Sequence, residues 1–265
     1  MGELGGRRAL VTGGTSGIGR SIAGAFVREG ARVVITGRAP ELGERTANRL
    51  GVRFIRADAG QPDQIRASVD QALEHLGGLD ILVNNAGISV QATALQTPLE
   101  DFQRLMDVNL RGPFLYAKAC FPHLETNRGC MIHISSDASI QGEEPIAIYS
   151  VSKAALDMLS NMLAIEGGRR GVRSNVICPG DTAPGMRHAG PPGDDDRPED
   201  DPSTWPVPPI GRVGSVTDVA EAAVWLASDR ASFVNGVRLV VDGGMRAGLN
   251  TASPPDPPNT RLAQW

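Results

Sequence analysis

The sequence predicts an α/β domain in which helices cover both faces of a parallel, doubly wound sheet. Three observations carry that prediction. Short apolar runs alternate along the chain with segments of helix length. Several of the runs are rich in β-branched residues, as strands buried on both faces require. The chain has 265 residues, enough for one such domain with a full core and no need of staples or metals.

Strands are expected at Ala9–Val11, Val33–Ile35, Val52–Ile55, Ile81–Val83, Met131–Ile134, Val176–Cys178 and Val237–Val241. Each run is too short for a helix. Between them Gly19–Arg28, Pro62–Leu76, Glu100–Leu124, Ile146–Glu166 and Val216–Ala227 have helix lengths. Strand–helix alternation repeated this often implies crossover connections and a parallel sheet. Two segments depart from the pattern. Pro184–Pro209 is proline-rich and carries the acidic cluster Asp194, Asp195, Asp196, Glu199, Asp200 and Asp201; Ser253–Trp265 holds Pro254, Pro255, Pro257 and Pro258. Both are expected as loop. The organisation is therefore a domain over 1–248, with a substrate loop or lid at 181–211, and a proline-rich tail over 249–265. A solvated insertion is the alternative reading of 181–211.

Composition removes several functions. A net charge of −4 supplies no basic face for nucleic acid. No apolar run approaches the ~20 residues that span a bilayer, and the opening MGELGGRRALVTGG lacks the apolar stretch of a secretory leader. Cys120, Cys130 and Cys178 lie far apart without a CxxC pair, which argues against disulfides and zinc and for buried thiols in a reducing compartment. His75, His123, His133 and His188 show no metal-ligand spacing, so no metal is expected. The expected location is the cytoplasm, and the expected partner a small-molecule substrate, with no membrane and no nucleic acid.

The first strand runs into Val11-Thr12-Gly13-Gly14-Thr15-Ser16-Gly17-Ile18-Gly19, which opens the first helix. Gly13 suits a tight turn, Gly17 a close approach of backbone to phosphate, and Gly19 close packing of helix on sheet. The N-terminal amides of that helix, around Thr15, Ser16 and Ile18, and its dipole suit a pyrophosphate. A dinucleotide with a free ribose 2′-hydroxyl wants a carboxylate after the second strand; Thr36-Gly37-Arg38 has none. Arg38 instead suits a 2′-phosphate, favouring NADP(H) with NAD(H) as the alternative. Asp58, followed by Ala59, stands where an adenine amino group would be accepted; a carboxylate favourable to a helix dipole is the plainer reading. Asn84-Asn85-Ala86-Gly87 follows the fourth strand, and its small residues let a cofactor lie against the backbone.

Thr12-Gly13-x3-Gly17-x-Gly19, Asn84-Asn85-Ala86-Gly87, Asn109, Ser136, Tyr149-x3-Lys153 and Pro179-Gly180, in this order, resemble the short-chain dehydrogenase/reductase family from about Arg7 to Gly244. The resemblance implies a single Rossmann-type domain with a seven-stranded sheet, a nicotinamide cofactor, and hydride transfer between that cofactor and a carbonyl or alcohol carbon. It implies homo-oligomers, dimers or tetramers. By motif position Tyr149 is the acid/base, Lys153 holds the nicotinamide ribose, Ser136 binds the substrate oxygen, and Asn109 supports a proton-relay water. Pro179, Gly180 and Thr182 correspond to the stretch near the nicotinamide carboxamide. There Asp181-Thr182-Ala183-Pro184 departs from the family, which has a Thr where Pro184 stands.

Physical chemistry gives the same pair independently. Reducing a ketone builds negative charge on its oxygen and requires a proton there. A phenol near pKa 10 is a poor acid/base at neutrality unless shifted. Lys153, four residues after Tyr149, shares its helix face, and an ammonium there, together with the positive charge of an oxidised nicotinamide, is expected to lower the phenol. Between Ser136 and Tyr149 the chain carries Asp137, Gln141, Glu143 and Glu144, polar for a steroid or acyl pocket. A hydroxylated, amine-bearing or natural-product substrate is the expectation, with Asp137, Gln141 and Glu143 as candidate contacts. Two competing functions are a 3-oxoacyl-carrier-protein reductase, using Arg128, Arg169, Arg170 and Arg173 against an acidic carrier, and a non-catalytic dinucleotide-binding regulator.

Overall fold

The computed structural model describes residues 2–185, 203 and 205–248. Each expected run becomes a strand: β1 (Arg8–Val11), β2 (Arg32–Gly37), β3 (Arg53–Arg56), β4 (Ile81–Asn84), β5 (Cys130–Ile134) and β6 (Arg173–Pro179). After β6, β7 (Thr182–Ala183) and β8 (Gly214–Ser215) pair with each other, and β9 (Arg238–Val241) returns to the main sheet. The main sheet has seven strands in the order β3-β2-β1-β4-β5-β6-β9, and every pairing in it is parallel. The order reverses between β1 and β4. That switch point leaves the loops after these two strands side by side at the carboxyl edge, where such sheets bind ligands.

The helices are α1 (Gly17–Arg28), α2 (Pro40–Leu50), α3 (Pro62–Leu76), α4 (Leu99–Met106), α5 (Gly112–Thr126), α6 (Ala147–Gly168) and α7 (Val216–Ala227). Side-chain alternation along β1 shows how the sheet feeds two cores. Ala9 and Val11 join Ile22, Phe26, Val219 and Val224 of α1 and α7. Leu10, facing the other way, joins Ile65, Val69, Tyr116 and Leu124 of α3 and α5. β4 and β5 are buried along their whole length, which explains their continuous apolar character. Cys120, Cys130 and Cys178 are buried and free, as small apolar side chains in these layers.

The helices at Pro62–Leu76 and Val216–Ala227 coincide with the sequence reading. Two others differ from it. α2 has no apolar stripe to betray it, because its buried residues are Gly43, Thr46 and Ala47. A Cβ on Gly43 would lie 2.3 Å from the Phe54 ring, so the helix sits directly on β3. Its only sequence marks are Pro40 at the start and the left-handed Gly51 at the end. The single helix expected over Glu100–Leu124 is interrupted by a π-helical turn, Asp107–Arg111. Most of the proposed lid, with its acidic cluster and His188, and the whole tail over 249–265 lie outside the described residues.

Candidate active site

The glycine turn is built by mutual contact with the loop after β4. Thr12 donates its N–H to Val83 O at 2.9 Å, and its hydroxyl accepts from the Asn85 and Ala86 N–H groups at 3.0 and 3.1 Å. The Asn85 amide donates back to Thr12 O and Gly13 O at 2.9 and 3.0 Å. Gly13 has φ +63°, and a Cβ there would stand 2.9 Å from Ala86 Cα. Gly17 has φ +51°, with open space where its Cβ would point. Gly19 has a different neighbour from the one expected. Its missing Cβ makes room for Asn85 Nδ2 and Gly13 O, at 2.3 and 2.4 Å, not for the sheet. Asn85 thus locks the turn, a role its place in an Asn-Asn pair did not disclose.

This cradle fits the phosphates of a dinucleotide. α1 starts at Gly17 after Ser16, whose side chain makes no cap, so the first-turn amides remain available as donors. Thr15 is buried, its carbonyl accepting from Thr46 Oγ1 at 2.9 Å. Arg38 is exposed just past β2, and no ion pair engages it among the described residues. Asp58 closes its own loop: Oδ1 accepts from Gly60 N at 2.8 Å, and its N–H donates to Gln64 Oε1 at 3.0 Å. Ala59 is buried, its carbonyl against Gly112.

The acid/base candidates meet at the carboxyl end of β5. Ser136 begins a short 3₁₀ turn (Asp137–Ser139), its Oγ accepting from Ala138 N at 3.2 Å. Ser136 donates to Asp137 Oδ1 at 3.3 Å and stands near enough to the Tyr149 phenol to favour its ionised form. Lys153 is 2% exposed; its Nζ donates to Ile134 O at 2.8 Å and lies 5.6 Å from the Tyr149 ring centre. A Cβ on Gly87 would be 3.4 Å from both Lys153 Nζ and Asn109 Oδ1, so these side chains converge on the loop after β4.

Asn109 sits fully buried in the π-turn, and its amide is committed to protein partners. Oδ1 accepts from Ile88 N at 2.9 Å, while Nδ2 donates to Ile88 O at 2.9 Å and Ser152 Oγ at 3.0 Å. It ties the β4 loop to α6 beside Lys153. A π-turn brings an extra residue into the helix without losing the hydrogen-bonded ladder, which is how a polar side chain reaches this depth.

The electrostatics show what the protein groups contribute without the nicotinamide charge. Burial pushes the Tyr149 phenol up, Asp137, Glu143 and Cys178 push in the same direction, and only the nearby Ser136 opposes them. Burial also pulls the Lys153 ammonium down to about 8. Desolvation of both groups outweighs their attraction, so the pair alone does not bring the phenol toward neutrality. The sign for Lys153 yields a prediction. Its charge is intact below pH 8 and lost above it, so dinucleotide affinity should fall as pH rises through that value, and Lys153→Met should bind weakly with that pH step removed. Dinucleotide titrations on either side of pH 8 measure both.

Two of the three substrate-side candidates, Asp137 and Glu143, are not free side chains. Arg246 Nε donates to Asp137 Oδ2 at 2.9 Å, and its Nη2 donates to Glu143 Oε1 in a very short bond. Gln141 is exposed, its N–H donating to Asp137 O. Arg246 was missed in the sequence because it lies 109 positions from Asp137. The only signal was an acidic segment with no cation near it in sequence. Pro179 ends β6, and a Cβ on Gly180 would stand 2.8 Å from Asp242 Cβ. Thr182 spends its hydroxyl on Gly180 O at 2.8 Å.

A phosphate cradle at the switch point, opening beside a Ser–Tyr–Lys cluster, defines a dinucleotide-dependent oxidoreductase. The comparisons agree. The family described as Enoyl-(Acyl carrier protein) reductase matches residues 13–246. A 3beta-hydroxysteroid dehydrogenase 1 from Eggerthella lenta is 38% identical over 253 residues, covering 92% of this chain and 95% of that enzyme. Glucose 1-dehydrogenase 2 from Bacillus subtilis is 36% identical over 253 residues, covering 92% and 96%. A solved short chain dehydrogenase/reductase family protein superposes with a TM-score of 0.80 at 38% identity, covering 93% of this chain and 100% of the other. The chain belongs to the short-chain dehydrogenase/reductase family. Its reaction is hydride transfer between a nicotinamide cofactor and a ketone or secondary alcohol. No helix among the described residues is long and apolar enough to cross a membrane.

Proposed function

We propose that this enzyme uses NADP(H) and acts on a small, polar, hydroxylated ketone or alcohol in the cytoplasm. The observation that carries the chemistry is the cluster of buried Tyr149 and Lys153 with half-buried Ser136 beside the glycine turn. Gly13 and Gly17 with the first amides of α1 hold the phosphates, Arg38 the 2′-phosphate, Asp58 and Ala59 the adenine side, and Asn85–Gly87 and Lys153 the nicotinamide half. Pro179, Gly180 and the backbone of Thr182 flank the carboxamide. The bound nicotinamide supplies or accepts the hydride, and its oxidised ring carries positive charge. Tyr149 transfers the proton at the substrate oxygen, and Ser136 holds that oxygen by a hydrogen bond.

Even with Asp137 and Glu143 held by Arg246, this ion-pair cluster and the exposed Gln141 keep the segment beside Ser136 polar, which supports the substrate class, in line with the relative named for glucose and against the one named for a hydroxysteroid. The test is one matrix: NADPH and NADH binding to wild type and Arg38→Ala, then turnover of glucose, a 3-hydroxysteroid and a plain aliphatic ketone. NADPH preference that vanishes in the variant, a loss of about 1.5–3 kcal/mol for a charge-assisted bond, with turnover of the sugar, supports the reading. NADH preference overturns the role of Arg38, and activity confined to the steroid or the aliphatic ketone overturns the substrate class.

A carrier-protein substrate is less well supported. Arg170 stacks on Phe121 at 4.5 Å and pairs with Glu125, and Arg173 donates to Leu226 O at 2.9 Å, so half of the four-arginine patch is occupied.

The outer faces of α4, α5 and α6 expose Phe102, Phe114, Val151, Met158 and Met162. Large apolar side chains exposed on helices that pack side by side support a homo-oligomer. Met158, 54% exposed, is its most informative position. Met158→Glu should shift the species seen by sedimentation toward monomer with the fold intact; an unchanged sedimentation coefficient would place the interface elsewhere.

A further inference from the structure

Asp137 and Glu143 pose a problem for this site. Reduction builds negative charge on the substrate oxygen, and oxidation needs a phenolate at Tyr149. Carboxylates nearby oppose both. Asp137 directly follows Ser136, and Glu143 lies on the segment leading to Tyr149. Both push the phenol up.

Arg246 meets them from the far end of the chain. Its side chain is 15% exposed, and it spans Asp137 and Glu143 together. Such a shielded, two-ended pair is unlike an exposed surface bridge, which is worth little. Its position is built by backbone contacts. The Asp242 carboxylate accepts from the N–H groups of Gly244 at 2.8 Å and Arg246 at 2.7 Å, closing the turn that aims the guanidinium. Gly180 permits that turn, since a Cβ there would overlap Asp242. Arg246 holds Oδ2 of Asp137, and the other oxygen, Oδ1, accepts from Ser136 Oγ at 3.3 Å. A contact chain therefore runs from Arg246 through Asp137 to Ser136, whose hydroxyl acts electrostatically on Tyr149.

We propose that Arg246 is a positioning residue for the proton chemistry: it offsets the charge of Asp137 and Glu143 at Tyr149 and holds the Asp137 carboxylate in place beside Ser136. This rests on the acid/base reading of Tyr149 above. The groups facing Tyr149 are Asp137, Glu143, Ser136, Cys178 and, over the ring, Lys153. Asp181 faces Glu143, Asp137 and Arg246 from the other side.

The chain has two tyrosines, Tyr116 and Tyr149, so Tyr116→Phe leaves Tyr149 as the sole tyrosinate signal. Its alkaline titration is followed by ultraviolet absorbance, with the protein saturated by whichever oxidised dinucleotide it binds more tightly. In that background Arg246→Gln should raise the midpoint by about one pH unit, and adding Asp137→Asn should reverse the rise. Asp137→Asn alone, which keeps the arginine, should lower the midpoint and carries the test if Arg246→Gln does not fold. A midpoint unmoved by Arg246→Gln or by Asp137→Asn overturns the proposal, as does a rise that Asp137→Asn fails to reverse. With substrate, the same variants should shift the pH profile of kcat in parallel, which a purely structural loss would not. The titration needs no turnover. A wild type whose turnover survives Tyr149→Phe overturns the acid/base reading and leaves the charge measurement standing.

Discussion

Tyr149→Phe is expected to lower kcat by about 10²- to 10⁴-fold, the range for removing a positioned proton donor. At the upper end this is about 5 kcal/mol of transition-state stabilisation. The ring is 6% exposed, and phenylalanine fills the same volume and removes one buried hydroxyl. The stability cost should be about 1–3 kcal/mol, too small to unfold the domain. Dinucleotide affinity should change little, because the phosphate cradle lies on other elements. Steady-state kinetics beside dinucleotide titration separates the two. A variant retaining kcat within tenfold would mean that Ser136 or solvent delivers the proton. Loss of binding in equal measure would mean that Tyr149 serves the dinucleotide first.

The second large effect separates two glycines of one turn. Gly19→Ala places a methyl 2.3 Å from Asn85 Nδ2 and 2.4 Å from Gly13 O, a backbone atom that cannot step aside cheaply. The turn must open, and the Asn85 bonds to Thr12 and Gly13 go with it. A loss of about 1–3 kcal/mol in stability, as for overpacking, should accompany a near-complete loss of dinucleotide binding. Gly17→Ala meets nothing within 4 Å, so its stability cost is only that of a left-handed φ of +51°, about 1–2 kcal/mol. Its methyl enters the space proposed for phosphate, so binding should still fall steeply. Thermal unfolding and dinucleotide titration of both variants check the split. Full binding by Gly17→Ala would move the phosphates away from this turn.

Much of this was legible because it is local. All seven main strands announced themselves as apolar runs, and their alternation with helical segments set the layer arrangement. The glycine turn was legible from its place between a strand and a helix. Tyr149 and Lys153 were legible from a four-residue spacing that any helix converts into a shared face. The interrupted helix was less so. Its apolar pattern runs continuously through Asp107–Arg111, and the π-turn there answers to the Asn109 contacts with Ile88 and Ser152, which are distant in sequence.

By itself the sequence determined the fold class and the seven strands of the main sheet, and it placed the glycine turn and the Tyr149–Lys153 helix face, since each follows from spacing within one or two adjacent elements. Only the tertiary structure decided how those residues are charged and held. Tyr149 and Lys153 look mutually supportive on a helix face, yet burial shifts both against their charged forms. Asp137 and Glu143 look like free substrate contacts, yet Arg246 reaches them across 109 and 103 positions. Burial and long-range pairing are properties of the packed chain. The cost of desolvating a charge depends on everything that excludes water from it, and no local spacing encodes that.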